Sequence, residues 1–108
     1  MSEEKTLNEI QIEIDKWIQK HGGYWPPLSM LSAIMEEVGE LAREINFLEG
    51  HKPKKSTDKK ESYLGEELAD LTFSVICLAN YYKIDLTDKI KNVLRKYTQR
   101  DGSRFKKK

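Results

Sequence analysis

Residues 71–79 read Leu-Thr-Phe-Ser-Val-Ile-Cys-Leu-Ala, a run without a charge in a chain in which 34% of residues are charged. The run lies within residues 62–82, whose apolar side chains recur at the three- and four-residue spacing of an α-helix. Phe73, Ile76 and Cys77 lie off the main stripe, so this helix is apolar almost all round. Such a helix must be buried on every side. We therefore predict a homo-oligomer interface there, with a central helix in a monomer as the alternative.

The same spacing predicts three further helices and no strand, over about residues 7–20, 28–48 and 85–100. Glycines and prolines mark the breaks between the helices, and Thr6 with Glu9 has the form of a capping box. Four helices with short connections predict an all-α fold, a four-helix antiparallel bundle in one domain over residues 1–108. Residues 51–60 are predicted to form a mobile, lysine-rich loop, and residues 101–108 a frayed basic tail.

The apolar stripe of each helix identifies its candidate core residues. For the first helix these are Leu7, Ile10, Ile14, Trp17 and Ile18. For the second helix these are Leu31, Ile34, Val38, Leu41 and Ile45. For the third they are Leu64, Leu68, Leu71, Val75, Leu78 and Tyr82. For the fourth they are Ile90, Val93, Leu94 and Tyr97.

The composition excludes several classes of protein. The 108 residues carry 19 Lys and Arg against 18 Asp and Glu, so the net charge is +1, which is not that of a general nucleic-acid or membrane-surface binder. The single cysteine, Cys77, cannot form an intrachain disulfide and favours a reducing compartment. No run approaches the roughly 18 apolar residues of a membrane span. We therefore expect a cytoplasmic protein.

Two groups of acids on the second and third helices carry the chemical information. They read Glu36-Glu37-Val38-Gly39-Glu40 and Glu66-Glu67-Leu68-Ala69-Asp70. Each group holds an acid pair three residues apart that borders the apolar stripe, so the two pairs can converge if the stripes face each other. Converging carboxylates repel one another, and a hard divalent cation such as Mg²⁺ or Mn²⁺ removes the conflict. The alternative is a solvated acidic surface, which is common on helices.

The remaining residues narrow the choice of metal and substrate. Di-iron bundles use Glu-x-x-His pairs, whereas His21 and His51 lie at or beyond helix ends, and no cysteine–histidine cluster supports zinc. A protein-bound Mg²⁺ typically takes further ligands from substrate phosphates. The acids therefore favour a phosphate-bearing substrate, with cations from the lysine loop and the fourth helix to offset its charge. The loop over residues 52–60, which includes Lys54 and Lys55, and the fourth helix, with Lys89, Lys96 and Arg100, supply such cations.

The acidic motifs resemble those of the MazG family of nucleoside triphosphate pyrophosphohydrolases, which carry E-E-x-x-E followed after a variable gap by E-x-x-D. The resemblance is closest to the short, single-domain YpjD type and covers nearly the whole chain, including residues 41–44, 53–55 and 77–80. It implies an all-α fold and Mg²⁺-dependent hydrolysis of an NTP or dNTP to the monophosphate and pyrophosphate. The homo-oligomer that the third helix predicts would be a dimer or a dimer of dimers. A housecleaning role in nucleotide pools is the corresponding expectation.

The resemblance also implies roles for individual residues. The metal ligands would be Glu37, Glu40, Glu67 and Asp70. Glu36 would orient or deprotonate the attacking water, and Lys96 and Arg100 match positions where related enzymes contact phosphate. Trp25 and Phe47 would pack against the nucleobase of the substrate.

Alternatives to these roles remain open at this point. Trp25 could serve only to hold the connection between the first and second helices in place, and Phe47 could belong to the core. The lysine loop could be a solvent-exposed loop that contacts no phosphate. The rival function is a non-catalytic helical module that contacts RNA or a protein partner through its basic tail, residues 95–108.

Overall fold

The computed structural model describes residues 3–50 and 63–102 and contains four helices there. They are α1 (Leu7–Lys20), α2 (Pro27–Leu48), α3 (Leu64–Tyr81) and α4 (Leu86–Asp101). No strand occurs within these ranges, which confirms the all-α prediction, and the helix bounds agree with the sequence to within two residues. None of the described helices is long and apolar enough to cross a membrane. Residues 51–60 and most of the tail lie outside the described residues.

The helix ends follow from local chemistry that the sequence displays. Thr6 and Glu9 form the predicted capping box, in which each side chain accepts a hydrogen bond from the other residue's backbone N–H. Asp85 caps α4 by accepting a hydrogen bond from the backbone N–H of Asp88. After α1, Gly22 and Gly23 adopt φ values of 107° and 87°, which side chains other than glycine rarely tolerate. These residues therefore set where the helices begin and end.

The principal packing in the chain is that of α2 against α3, with α1 on α3 and α4 chiefly on α1. The α2–α3 pair is antiparallel, because Glu44 near the end of α2 accepts a hydrogen bond of 3.0 Å from the backbone N–H of Tyr63, just before α3. Glu37, earlier on α2, lies beside Glu67, later on α3. This register places the two acidic motifs at the same level of the pair.

A buried glutamine joins α1 to the turn between α3 and α4. The Gln11 amide donates hydrogen bonds of 2.9 Å to the Asn80 side chain and to the carbonyl of Ile84, and accepts one from the backbone N–H of Leu86. Asn80 in turn donates to the backbone carbonyl of Gln11. Because all polar groups of this buried amide are paired, the network holds α1 and α4 in a defined position relative to α3.

The predicted core stripes are wrong in part for the isolated chain. Side chains that the sequence assigns to the core remain exposed on all four helices, and no residue of α4 is buried. On α2 the reason is the rotation of the helix, which turns Met30, Glu37 and Glu44 toward α3 and leaves the predicted stripe on another side. The exposed members are Ile10, Trp17, Leu31, Val38, Ile45, Leu68, Val75, Tyr82, Ile90, Val93, Leu94 and Tyr97.

The chain's own core lies where α3 meets α1 and α2. Its buried apolar residues are Met30, Ile76, Cys77 and Ala79, and no large side chain among the described residues is completely buried. Ile76 and Cys77 are therefore covered by the chain itself, although the sequence assigned them to an intermolecular contact. Association of the chain stays a prediction, but the middle of α3 is not where most of the exposed apolar surface lies.

Candidate active site

Three carboxylates from α2 and α3 meet in the groove between these helices. Glu37 lies on α2, and Glu67 and Asp70 lie one turn apart on α3; one oxygen from each comes within 4.8 Å of the others. The antiparallel register sets Glu37 opposite Glu67, and the helical repeat brings Asp70 to the same side. The structure thus brings together three of the four acids that the sequence assigns to a metal.

The other acids of the motifs are placed differently. The fourth predicted ligand, Glu40, is half-buried and accepts a hydrogen bond of 2.9 Å from the guanidinium of Arg43. Glu36 is exposed and lies outside the three-carboxylate cluster. Glu44, which the sequence analysis did not single out, is buried where it accepts the Tyr63 N–H. Its signal was available, because it lies two turns after Glu37 on the same face of α2.

The three carboxylates of the cluster concentrate negative charge between α2 and α3. Partial burial of the carboxyl raises the pKa of Glu67 above its usual value of 4.5, and the charges of Glu37, Glu40 and Asp70 raise it further. Carboxylate oxygens are the hard ligands that Mg²⁺ and Mn²⁺ prefer, and the cluster contains no softer donor. The donor set therefore fits a hard divalent cation, whose charge would relieve the repulsion.

An aromatic cavity lies one helical turn from the cluster, on the same side of the α2–α3 pair. Ala33 precedes Glu37 by one turn on α2, and Phe73 and Ser74 follow Asp70 by one turn on α3. The cavity has a volume of about 400 Å³. The residues that line it are Trp17, Ile18, His21, Gly23, Tyr24, Trp25, Met30, Ala33, Phe73, Ser74 and Cys77.

Stacked and edge-on rings build one wall of this cavity. The rings of Trp17 and His21 stack at 4.2 Å between centroids, and Phe73 meets Trp17 edge-on at 6.2 Å. The His21 ring is oriented by its Nδ1, which lies 2.7 Å from the carbonyl of Trp17. Sequence analysis identified Trp25 at the rim but missed this wall. The four-residue spacing of Trp17 and His21 at the end of α1 was the available signal.

The two predicted base-contacting aromatics lie far apart in one chain. Trp25 lines the cavity just before α2, whereas Phe47 lies near the other end of that helix. The 20 helical steps from Pro27 to Phe47, at 1.5 Å per residue, span about 30 Å along the axis of α2. A single copy of the chain therefore does not place Trp25 and Phe47 on the same base.

The predicted phosphate-contacting cations divide into two groups. Lys96 and Arg100 lie on α4, where both pack over the ring of Tyr97 at 5.0 and 4.8 Å from its centroid. Arg100 also pairs with Asp101 at 2.7 Å. Because α4 packs chiefly against α1, the structure does not bring these two cations into the carboxylate cluster. Lys54 and Lys55 lie outside the described residues.

Comparison with known proteins identifies relatives along nearly the whole chain. Residues 26–105 match the family model of the MazG nucleotide pyrophosphohydrolase domain. A Bacillus subtilis (strain 168) protein of uncharacterized function, YpjD, is 42% identical over 106 residues, which cover 97% of this chain and 95% of the relative.

Two solved structures share the fold. The crystal structure of YpjD from Bacillus subtilis, a candidate pyrophosphatase, superimposes with a TM-score of 0.77 at 40% identity, covering 89% of this chain and 98% of that one. A Bacillus-conserved MazG protein, described as a nucleotide pyrophosphohydrolase, gives a TM-score of 0.74 at 37% identity, over 89% of this chain and 92% of that one.

Proposed function

The chain belongs to the MazG nucleotide pyrophosphohydrolase family, and on that premise we propose that it hydrolyses an NTP or dNTP to the nucleoside monophosphate and pyrophosphate. Membership makes it a hydrolase that acts on phosphoanhydrides. The observation that carries the substrate assignment is the carboxylate cluster one turn from an aromatic cavity. This arrangement suits a ligand with a polyphosphate at one end and a planar ring at the other.

We assign the cluster to Mg²⁺, with Mn²⁺ as a substitute. Glu37, Glu67 and Asp70 would hold the ion, and Glu40 would join them by turning away from Arg43. When bound, the ion supplies neutralisation of phosphate charge and a fixed position for a water in line with the scissile bond. Glu36, the first acid of the motif, remains the candidate for orienting or deprotonating that water.

The cavity is the proposed site of the nucleobase. Its apolar, aromatic lining would stack and desolvate a planar ring, and such stacking contributes about 1–3 kcal/mol for each base. Trp25 at the rim is the proposed stacking partner. Phe47 lies about 30 Å away and would contact a base only at another site or in another copy. A housecleaning role in nucleotide pools is consistent with a hydrolase of this kind and is part of the proposal.

The cations that would contact phosphate remain Lys54, Lys55, Lys96 and Arg100. Their positive charge supports this assignment, because a triphosphate bound beside three carboxylates needs cations that offset the negative charge of both groups. In the described chain the two α4 cations lie away from the cluster. A homo-oligomer, which we also propose, is one arrangement that could bring the α4 cations of a neighbouring copy to it. The rival function, a non-catalytic binding module, is set aside because the family match and a solved relative support an enzyme.

The direct test is an assay of each common ribo- and deoxyribonucleoside triphosphate with Mg²⁺, Mn²⁺ or EDTA. We expect monophosphate and pyrophosphate in equal amounts with the metals and no turnover in EDTA. Release of orthophosphate and a nucleoside diphosphate would contradict the proposed bond cleavage. Hydrolysis that persists unchanged in EDTA would contradict the metal assignment.

A binding measurement tests the metal site independently of turnover. Mg²⁺ at 100 times its dissociation constant stabilises a folded protein by about 2.7 kcal/mol if it binds only the native state. The melting temperature should therefore rise by several degrees as Mg²⁺ is added. An Asp70→Asn variant should lose this rise, whereas a variant of the exposed Glu66, which lies outside the cluster, should keep it.

A further inference from the structure

Glu44 is a buried acid that lies outside the carboxylate cluster. It is 8% exposed and is the one charged side chain that is buried within residues 3–50 and 63–102. The acids of the cluster are more accessible, since Glu37 and Glu67 are half-buried and Asp70 is exposed. A carboxylate is costly to bury unless hydrogen bonds compensate for the water that it loses. The position of Glu44 therefore depends on the groups that it contacts.

The start of α3 supplies such a contact. Glu44 accepts a hydrogen bond of 3.0 Å from the backbone N–H of Tyr63, which lies 19 residues further along the chain. Tyr63 is the N-cap residue of α3, and its own side chain makes no capping hydrogen bond. The first N–H groups of a helix have no acceptor within the helix, and the helix dipole favours a negative charge at this end. Glu44 of α2 thus serves as a cap for α3.

A second hydrogen bond connects this cap to the cluster. The backbone N–H of Glu67 donates to the carbonyl of Tyr63 at 2.9 Å and closes the first turn of α3. Tyr63 is therefore held by Glu44 through its N–H and holds Glu67 through its carbonyl. Asp70 follows Glu67 by one turn on the same side of the helix. The position of both α3 carboxylates thus depends on where α2 holds the start of α3.

The two contacts of α2 with α3 lie on one side of α2. Glu44 follows Glu37 by seven residues, which is two helical turns and about 10 Å along the axis. Glu37 meets the cluster, and Glu44 meets the start of α3. Burial raises the pKa of Glu67, and the charge of Glu44 adds to the effect of the cluster, so Glu44 is near enough to act on it. The two contacts together define the register of the helix pair.

We propose that Glu44 is a positioning residue of the metal site. Its hydrogen bond to Tyr63 holds α3 against α2, so that Glu67 and Asp70 face Glu37 before a cation binds. Without this anchor, repulsion among the carboxylates would move the two helices apart, and the cation would have to gather its ligands. Glu44 itself does not contact the ion. The inference rests on the proposed metal site, and the alternative is that Glu44 stabilises the fold without affecting metal binding.

The experiment titrates Mn²⁺ alone into the metal-free, full-length chain by calorimetry, at a temperature at which every variant is folded. Glu44→Leu removes the acceptor at nearly constant size and should weaken Mn²⁺ binding about 10- to 100-fold, the range typical of groups that orient metal ligands. Glu44→Gln keeps an oxygen that can accept the Tyr63 N–H. It should bind Mn²⁺ at least about fivefold more tightly than Glu44→Leu, the factor that corresponds to one ordinary hydrogen bond.

A matched control separates positioning from a general loss of stability. Gln11→Leu also removes a buried hydrogen-bonding side chain between helices, but at the contact of α1 with the turn between α3 and α4. It should lower the melting temperature and leave the dissociation constant for Mn²⁺ unchanged. If Gln11→Leu weakens Mn²⁺ binding as much as Glu44→Leu does, or if Glu44→Gln binds as weakly as Glu44→Leu, the positioning role of the hydrogen bond is refuted.

A further variant distinguishes failure of this inference from failure of the metal site. Glu67→Gln removes a proposed ligand and should abolish tight Mn²⁺ binding. A parent chain that binds no Mn²⁺, or a Glu67→Gln variant that binds as tightly as the parent, refutes the metal site and the positioning role together. If Glu67→Gln loses binding while folded Glu44→Leu keeps the affinity of the parent, the metal site stands and only the role of Glu44 is refuted.

Glu44→Asp keeps the test decisive if the leucine variant does not fold. It retains the carboxylate but shortens its reach by about 1.5 Å, the length of one carbon–carbon bond. The hydrogen bond to Tyr63 is then lost or draws α3 along α2, and either change displaces Glu67. We expect Mn²⁺ binding to weaken about tenfold or more. An unchanged dissociation constant in this folded variant would refute the proposal.

Discussion

One side of the α2–α3 pair gathers carboxylates beside an aromatic cavity, whereas the other side presents an apolar face free of charge. Both sides are unfavourable in an isolated chain, the first through like-charge repulsion and the second through apolar surface in water. The chemistry that would relieve each is different: a divalent cation on one side and a second apolar surface on the other. The comparison teaches that the two sides of one helix pair differ in chemistry and can be tested by separate mutations.

The largest effect is expected from Glu37→Gln on the carboxylate side. Removing one ligand charge should lower kcat/KM by about a thousandfold or more, because the metal contributes several kcal/mol to the transition state. Far-UV circular dichroism and molar mass should not change. The control is Glu66→Gln, an exposed acid outside the cluster, which should retain activity. Full activity of Glu37→Gln would refute the cluster as the metal site.

A smaller effect is expected from Trp25→Ala at the rim of the cavity. Loss of stacking should raise KM for the preferred nucleotide about tenfold, within the 1–3 kcal/mol typical of base stacking, while kcat changes little. Steady-state kinetics with the best substrate provides the measurement. If KM is unchanged and only the melting temperature falls, Trp25 stabilises the connection between α1 and α2 and does not bind the nucleobase.

Glu67→Gln should change the pH dependence of stability in the absence of metal. The pKa of Glu67 is raised in the folded chain, so above pH 4.5 the native state retains this proton more readily than the unfolded state. Stability from this group is therefore lost as pH rises through the folded pKa. In EDTA, the variant should melt higher than the parent at neutral pH, and the difference should shrink toward pH 4.5. A parent that melts higher at neutral pH would contradict the repulsion.

The smallest effect is expected from Arg43→Ala. The side chains of Arg43 and Glu40, which form an ion pair, are 59% and 46% exposed, so solvent screens the pair and the free energy of unfolding should change by less than about 1 kcal/mol. Release of Glu40 should nevertheless tighten Mg²⁺ binding, as measured by the metal-induced rise in melting temperature. Unchanged or weaker binding would indicate that Glu40 is not a ligand and that three carboxylates hold the ion.

Much of the fold and part of the candidate site were predictable from local sequence. The Thr6 capping box, the Asp85 cap and the glycine breaks set the helix bounds, because each depends on residues within a few positions of one another. The three-residue spacing of Glu67 and Asp70 likewise guarantees a shared side of α3. The distance between Trp25 and Phe47 also follows from the sequence, because nearly all of α2 lies between them.

The sequence did not predict which stripe of each helix would be buried. On α2, apolar residues occupy more than one side, and the predicted core stripe containing Val38 competes with the side containing Met30. Only the packing partner chooses between them. The cavity wall of Trp17, His21 and Phe73 was missed for the same reason, since α1 and α3 meet there through tertiary packing.

The sequence by itself determined four helices, their ends, and the partition of α2 into a charged side and an uncharged side that contains Leu31, Met35 and Val38. These properties follow from short-range capping and from the helical repeat, which need no knowledge of neighbours. Tertiary structure decided the antiparallel register that sets Glu37 opposite Glu67, and the rotation that buries Met30 and exposes Val38. Register and rotation depend on how two helices fit together, and that fit is a property of the pair of surfaces rather than of either helix.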